Sequence, residues 1–216
     1  EYGILVPDQS VRPSSYSTKR ASMSAGHILE SFFTAYRVDC RNQQMTVFPY
    51  GNGTGRMMAN AGRSRSLGVE AEASWMWKGL SVSFAGSLMD ARFVDYDDGR
   101  NDWSGNRIPY SPESTLYLRC GYKFLTRGRF LRSVSLSADI NRSGRIYWNE
   151  AGDISQSPYS LIGADVRLTT SKAELWLRGQ NLTGTEHSVF YFKSVGNSFF
   201  QAGKPRRFTI GLSINL

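Results

Sequence analysis

The chain has 216 residues, of which 40% are hydrophobic and 13% aromatic, and this length suits one all-β domain. No run of about eighteen apolar residues occurs, which excludes a membrane-spanning helix but not membrane-spanning strands, because a barrel strand turns only alternate residues to lipid. The net charge of +8 comes from basic residues scattered singly along the chain. We therefore expect anionic lipid head groups, and no nucleic acid, to face them.

The segment 1–10 lacks the basic and apolar regions of a signal peptide. We therefore expect the chain to be part of a longer protein.

Apolar and polar residues alternate with a period of two through most of the chain, which predicts β-strands. Two weaker candidates come first, at 16–24 and at 28–38. Seven stronger segments follow: Leu67–Trp77, Leu80–Leu88, Leu116–Phe124, Val134–Ile140, Ile162–Leu168, Ala173–Leu177 and Phe208–Leu216. The sequence thus predicts eight strands, with a ninth at the amino-terminal end.

The charged residues of the seven stronger segments all fall on the face opposite the apolar residues. They are Glu70, Glu72, Arg119, Lys123, Asp139, Asp165, Arg167, Glu174 and Arg178. A lipid-facing surface requires this separation, since an Arg or Lys at the bilayer midplane costs roughly 2–4 kcal/mol. We predict that one face contacts lipid and that the other lines a wet lumen.

The connections between the predicted strands are alternately short and long. Short ones lie at 77–80, 124–130 and 169–172, and long loops at 44–64, 94–112, 147–158 and 182–204. Short turns on one rim and long extracellular loops on the other are typical of outer-membrane barrels. The alternative with the same one-sided charge pattern is a soluble β-sandwich, whose strands are usually shorter than these runs of about nine to twelve residues.

Aromatic residues gather where the predicted strands end, as expected at the two membrane interfaces. Near the short turns these are Trp75, Trp77, Tyr122 and Phe124, and near the long loops Phe93, Tyr96, Tyr147, Trp148, Tyr159 and Phe208.

The sequence contains no pattern that indicates a catalytic or metal site. Cys40 and Cys120 lie 80 residues apart without further ligands at metal-binding spacing, and His27 and His187 are equally isolated. We find no nucleophile motif or phosphate loop, so we expect no enzymatic activity, cofactor or resident metal. The acidic pair at 97–98 either binds calcium weakly or closes a solvated turn, and we favour the turn.

Five motifs in order resemble those of the TonB-dependent outer-membrane receptors, over residues 28–216. They are Asn60-Ala61-Gly62 followed by Ser66 to Glu70, Asp90 to Phe93, Ser104 to Pro112, Gln180-Asn181-Leu182, and Pro205-Arg206-Arg207 with the terminal strand. The chain departs from the family at Leu216, where the last strand typically ends in Phe. We expect these motifs to stabilise the barrel, Gly62 and Gly105 by relieving crowding where loops re-enter it.

The resemblance implies that residues 1–216 are the carboxy-terminal part of such a barrel, with 1–27 its least clear part. We expect the last eight or nine strands of a larger barrel of about 22 strands, which is an open curved sheet when taken alone. The family is monomeric and lies in the outer membrane of Gram-negative bacteria. Its plug domain and TonB-contacting segment are expected upstream of this chain.

The resemblance also implies partners: outer-membrane lipid and lipopolysaccharide, the TonB complex acting through the plug, and a small-molecule chelate. We expect a ferric siderophore as the solute, with cobalamin or a glycan as alternatives. The expected substrate-binding residues are Trp103, Arg107, Tyr110, Tyr147, Trp148 and Tyr191, together with Arg206 and Arg207. Such side chains stack on catecholates and pair with anionic chelates, although loop packing is the simpler role for each one alone.

A protein of another class, a small self-contained barrel that serves as an anchor, also fits eight strands. It would pair its first strand with 209–216 and would need a filled interior. Gly68, Ser81, Ser83, Ser135, Gly163 and Gly211 leave the predicted lumen sparse.

Overall fold

The computed structural model describes residues 10–24, 27–47, 57–194 and 196–214, with side chains from residue 27 onward except at 46–59, 61 and 194. The strands are β1 (Ser10–Ser24), β2 (His27–Val47), β3 (Met57–Trp77), β4 (Leu80–Asp95), β5 (Ser114–Leu125), β6 (Leu131–Ser143), β7 (Ile146–Tyr147), β8 (Ser155–Gln156), β9 (Tyr159–Thr170), β10 (Ala173–Gln180), β11 (Ser188–Ser194), β12 (Asn197–Ala202) and β13 (Arg207–Ile214). No helix long and apolar enough to cross a membrane is found among these residues.

Nine strands form one antiparallel sheet in the order β1-β2-β3-β4-β5-β6-β9-β10-β13, while β7–β8 and β11–β12 are separate hairpins. Among the described strands, β1 pairs only with β2 and β13 only with β10, so the sheet has two free edges. The prediction of an open, all-β antiparallel sheet is confirmed. The small closed barrel and the sandwich are not formed, because β1 and β13 stay apart and the other two sheets have two strands each.

The register keeps the apolar residues of neighbouring strands in line across the sheet. Val82 pairs with Trp75 on one side and Cys120 on the other, and Leu136 pairs with Tyr122 and Val166. Many of the large side chains on this face are exposed, from 37% for Phe84 to 70% for Ile210, and others, such as Val82 and Leu116, are half-buried. A continuous exposed apolar surface of this kind is stable only against lipid or another apolar surface. We call it the apolar belt.

Two of the lumen-facing glycines are covered by aromatic rings from neighbouring strands. The ring of Tyr36 lies over Gly68, and the indole of Trp176 lies over Gly211, so a Cβ at either glycine would collide with the ring. The lumen surface is therefore less sparse than the sequence predicts, since the glycines are sites of ring packing.

β2 and β3 are longer than predicted, with 21 residues each. Residues 44–47 and 57–64 were predicted to be loop, and this is wrong; 48–56 lie outside the described residues. Above the hydrocarbon layer a strand is wet on both faces, so it needs no apolar alternation and leaves no periodic signal. The amino-terminal strand is confirmed and extends from Ser10.

Two further predictions near the long loops are corrected. The 182–204 loop contains the β11–β12 hairpin. Phe93, Tyr96 and Trp148 are not an interface belt, because 4% or less of each is exposed and all three are packed inside the loops. At the opposite rim Trp77, Tyr122 and Phe124 are exposed beside the short turns, as predicted for an interface.

Phe84→Arg tests the assignment of the belt. Phe84 lies midway along the apolar part of β4, so an arginine there should lower the free energy of unfolding in lipid vesicles by about 2–4 kcal/mol. Denaturant titration of the full-length protein with tryptophan fluorescence measures this. Ser87→Arg is the matched control, because Ser87 faces the lumen and pairs with Glu70, and it should cost much less. Equal losses for the two variants would refute the assignment.

Candidate functional site

Three long connections meet above one end of the sheet: 96–113 between β4 and β5, 144–158 between β6 and β9, and 181–206 between β10 and β13. We call them the first, second and third outer loops. The short turns at 78–79, 126–130 and 171–172 lie at the other end. Candidate binding residues therefore concentrate at the rim that carries the outer loops.

Tyr110 joins all three outer loops. Its backbone N–H donates to the Tyr147 carbonyl at 2.8 Å, its ring meets Trp148 edge-on at 5.5 Å, and it stacks on Phe190 at 5.6 Å. Its hydroxyl donates to the carbonyl of Tyr191 at 2.8 Å. Tyr110 also has a φ of +63°, a conformation that a bulky side chain adopts only when the surrounding contacts hold it there.

The first outer loop packs on a small apolar core that also includes Phe93 of β4 and Met45 of β2. Phe93 and Tyr96 pack at 4.8 Å between ring centroids, with Trp103 and Ile108 against them. The indole Nε1 of Trp103 donates to the Asp98 carboxylate at 2.9 Å. Trp103 thus stabilises this loop.

The acidic residues of the first outer loop close backbone turns. Asp97 accepts from the Gly99 N–H at 2.7 Å, and one oxygen of Asp98 accepts from the N–H groups of Arg100 and Asn101 at 2.8 Å. These contacts fit the turn interpretation of 97–98.

Two of the three basic residues predicted for substrate binding, Arg107 and Arg207, have hydrogen-bond or ion-pair partners. Arg107 pairs with Asp90 and Glu113, both at 3.1 Å, and its side chain is 24% exposed. Arg206 lies against Gly184. The Nε of Arg207 donates to Gln180 at 2.6 Å, which leaves the rest of its guanidinium at the edge of a cavity.

This cavity, of about 410 Å³, lies between the lumen face of the sheet and the third outer loop. Tyr117, Asp139, Arg178, His187, Lys204 and Arg207 are among its lining residues. Three of these are cations and one is a carboxylate, so with His187 neutral the lining carries a charge of +2. The cavity therefore favours an anionic ligand.

Asn181 fixes the loop that covers the cavity. It is 5% exposed and adopts a φ of +48°. Its side-chain amide donates to the carbonyls of Thr185 at 3.0 Å and Lys204 at 3.2 Å, and its oxygen accepts from the Thr185 N–H at 2.8 Å. The first residue of the third outer loop thereby holds both ends of that loop together.

Asp139 and Arg178 also belong to a four-residue ion network on the lumen face, with Arg119 and Asp165. Arg119 lies 2.5 Å from Asp165 and 3.6 Å from Asp139, and Arg178 lies 3.1 Å from Asp139 and 3.5 Å from Asp165. Only 9% and 11% of the two Asp side chains are exposed. Gly163 makes room for the Asp139 carboxylate, which a Cβ would crowd. The network has no net charge, and two of its residues, Asp139 and Arg178, form part of the cavity wall.

The structure brings together four of the predicted binding residues, namely Tyr110, Tyr147, Trp148 and Tyr191. Trp148 and Tyr191 are only 4% and 2% exposed, while 39% of Tyr110 is exposed. The indole N–H of Trp148 has no hydrogen-bond partner among the described residues. Trp103 and Arg107 lie in the first outer loop and support it. Substrate contact by these residues stays a prediction.

Sequence reasoning missed Arg178, His187 and Lys204 in the cavity lining. The alternation predicts that Arg178 lies on the lumen face. It does not predict how close a residue lies to the outer rim of the sheet, where the cavity is. His187 was noted only as isolated, and it in fact stacks on Tyr159 at 4.5 Å between ring centroids. The available signal was Arg178 with Gln180 on one face, just before the Asn181-Leu182 motif.

Residues 29–182 match the family model described as "TonB dependent receptor-like, beta-barrel". The fold is similar to that of the ferric yersiniabactin uptake receptor FyuA from Yersinia pestis, with a TM-score of 0.71 and 17% identity over 94% of this chain and 29% of that one.

It is also similar to the ferric-catecholate import receptor Fiu from E. coli K12, with a TM-score of 0.67 and 16% identity over 94% of this chain and 27% of that one. The fold also resembles that of BauA, the ferric preacinetobactin receptor from Acinetobacter baumannii. The TM-score is 0.65 and the identity 15%, over 95% of this chain and 29% of that one. The chain thus spans less than a third of each of these structures, and the likeness shows a shared fold.

Tyr110→Phe tests whether the three outer loops are joined. Loss of the hydroxyl leaves the Tyr191 carbonyl without its donor, which should cost about 0.5–1.5 kcal/mol. In the full-length protein, hydrogen exchange of the β11–β12 hairpin should rise several-fold. Tyr147→Phe is the control, and it should leave the hairpin unchanged. Unchanged exchange in Tyr110→Phe would show that the loops are held independently.

Glu150 gives the contact between the first and second outer loops a pH dependence. Burial raises the pKa of Glu150, and the nearby negative charge of Asp98 raises it further. The packed loops therefore bind a proton more readily than the open ones, so packing should strengthen as the pH falls through the raised pKa and weaken above it. The amide of Asn106 donates to the Glu150 carbonyl at 3.0 Å and reports this contact.

Hydrogen exchange of 144–158, corrected for its intrinsic pH dependence, should slow as the pH falls toward the raised pKa of Glu150. Glu150→Gln should abolish this slowing, whereas Glu186→Gln in the third outer loop should retain it. Slowing that persists in Glu150→Gln would assign the effect to another group.

Proposed function

The chain belongs to the family of TonB-dependent receptor-like β-barrels, and on that premise we propose that it is the carboxy-terminal barrel part of a receptor that captures an anionic metal chelate, a ferric siderophore. Proteins of this family lie in the outer membrane of Gram-negative bacteria and are transporters, not enzymes. This chain accordingly lies in the outer membrane.

The observation that carries the proposal is the charge of the cavity under the third outer loop. Arg178, Lys204 and Arg207 surround a space of about 410 Å³, and the only carboxylate among its lining residues, Asp139, is already paired with Arg178. A cavity of this volume is within the range of small-molecule sites, about 300–1,000 Å³. Guanidinium groups bind the carboxylate or catecholate oxygens of a chelate through charge-assisted hydrogen bonds.

The aromatic residues where the outer loops meet support the same substrate class. Tyr110 keeps an exposed ring where the three outer loops meet, with Trp148 and Tyr191 packed beneath it as a rigid base. Exposed aromatic rings stack on flat ligands at low entropic cost. We propose that Tyr110, and not the buried Trp148 or Tyr191, makes the first contact with the chelate.

Uptake would proceed through parts of the protein beyond this chain. We propose that a plug domain in the lumen and the TonB complex move the bound chelate inward, as the resemblance implies. Cobalamin and a glycan remain the alternatives, and a neutral ligand of either kind does not require the cations Lys204 and Arg207 in the binding cavity. Charge-dependent binding therefore distinguishes the substrate classes.

Arg207→Gln combined with Lys204→Gln tests the proposal. The full-length receptor is titrated with a ferric tris-catecholate, a cobalamin and a neutral oligosaccharide, with tryptophan fluorescence as the readout. We expect the catecholate to bind tightest and the double variant to weaken it at least about tenfold, since each charge-assisted bond contributes about 1.5–3 kcal/mol.

Arg167→Gln is the matched control, because Arg167 lies on the same lumen face, outside the cavity and paired with Glu174 at 2.9 Å. It should bind like the wild type. The proposal is wrong if the double variant binds the catecholate as tightly as the wild type, or if cobalamin or the oligosaccharide binds tighter.

A further inference from the structure

The four-residue ion network extends from the cavity under the third outer loop into the lumen wall behind it. Asp139 and Arg178 line the cavity, and we call them the lining pair. Arg119 and Asp165 are not among its lining residues, and we call them the rear pair. The rear pair lie 2.5 Å apart, and each lies 3.5–3.6 Å from its oppositely charged neighbour in the lining pair. Two charges outside the cavity are therefore linked to the two that a ligand would meet.

The strand register arranges the four charges in two adjacent rows. Arg119 pairs with Asp139 across β5 and β6, and Asp165 pairs with Arg178 across β9 and β10. Asp139 pairs in turn with Gly163, two residues before Asp165, so the second row lies next to the first. Strands position side chains more precisely than loops do, so the four charges keep fixed places on the wall.

The charges of the network are poorly exposed to water. Only 9% of the Asp139 side chain and 11% of the Asp165 side chain are exposed, and the two arginines are 30% and 32% exposed. Water and salt therefore screen these charges less than they screen charges on an open surface. The four formal charges sum to zero, so the removal of any one of them would leave an uncompensated charge beside the cavity.

The geometry points to a role in specificity, and we propose that the rear pair sets the ligand charge that the cavity accepts. This inference rests on the proposed function, since it takes an anionic chelate as the ligand. Arg119 and Asp165 are positioning residues that act through the lining pair. Asp165 occupies part of the Arg178 guanidinium, and Arg119 offsets the Asp139 carboxylate. The wall is then neutral, and the cavity attracts an anion only through its two cations outside the network.

Removal of the two rear charges one at a time should have opposite effects. Arg119→Gln leaves two carboxylates against one guanidinium, a network charge of −1, so the wall repels an anion. Asp165→Asn leaves two guanidinium groups against one carboxylate, a network charge of +1, and frees part of Arg178 to bind an anion. The double variant Arg119→Gln/Asp165→Asn is neutral again and should behave like the wild type.

Two ferric chelates that differ in charge measure this effect in the full-length receptor. The probes are a trianionic ferric tris-catecholate and a neutral ferric tris-hydroxamate, with tryptophan fluorescence as the readout. The measured quantity is the ratio of their dissociation constants. A general loss of structure weakens the binding of both chelates, whereas a change in the charge of the wall acts mainly on the anionic one.

We expect the wild type to bind the catecholate tighter than the hydroxamate. Arg119→Gln should lower this preference at least about fivefold, and Asp165→Asn should raise it by a similar factor, because one poorly screened charge near a ligand contributes on this order. The double variant should return to within about twofold of the wild-type preference, since the two charge changes cancel.

Lys123→Gln and Glu174→Gln are the matched controls. They remove one charge of each sign from the same lumen face, and Glu174 pairs with Thr169. Lys123 and Thr169 each lie four residues closer to the short turns than the rear residue of their own strand, or about 13 Å along the strand. Neither control should change the preference more than about twofold, because the charge removed is far from the cavity.

Three results would overturn this inference alone: unchanged preferences in both single variants, shifts of the same sign in both, and a double variant that stays different from the wild type. Equal binding of the two chelates by the wild type would instead refute the proposed function, and this inference with it. Retained heat-modifiable mobility on gels shows that each variant still forms its barrel. If one single variant does not, the other and the double variant still provide a shift and its reversal.

Discussion

The hydrocarbon layer cannot accept a charge or an unpaired backbone group, and the rest of this structure follows from that restriction. Each inner strand of the sheet closes its backbone hydrogen bonds with two neighbours, and within the apolar belt each turns only uncharged residues to the lipid side. Because side chains alternate with a period of two, a slip of one residue would carry Arg119, Asp139 and Asp165 into lipid together. The register between β5, β6 and β9 is thus fixed by the position of these charges as much as by the apolar residues.

The opposite face is free of that restriction, and it is used for polar structure that a membrane strand could not otherwise hold. Arg119, Arg178, Asp139 and Asp165 form a neutral network in which each carboxylate faces two guanidinium groups. Breaking such a network by removing one member is more costly than its net contribution suggests, because the remaining charge is left unpaired. Because Arg178 is paired within this network, Lys204 and Arg207 are the cavity cations that have no carboxylate partner among the described residues.

The sequence predicts the structure best where the membrane imposes a period, and least where it does not. The sequence predicts which residues of β3 to β6 face lipid and which face the lumen, because every second residue lies in the same environment. The upper parts of β2 and β3 carry no such signal, since lipid does not sort their faces and Met45 packs on the Phe93–Tyr96 cluster instead. In the β11–β12 hairpin, three consecutive residues are aromatic because both faces of the strand are packed. Phe190 packs on Tyr110 and Phe192 on Phe199 on one face, and Tyr191 packs on Phe200 on the other. The cavity depends on how the third outer loop folds over Arg178, which is a tertiary contact invisible to any local pattern.

The basic residues are scattered along the sequence, but in the structure many of them form two groups on opposite faces of the sheet. Arg37, Arg41, Arg63 and Arg65 come from two strands but converge on the outward surface, whereas Arg178, Lys204 and Arg207 converge on the lumen. The two groups lie on opposite faces of the sheet, so the residues of one group do not contact those of the other. The alternation that satisfies the membrane therefore also separates the positive charge of this chain into an outward set and a lumen set.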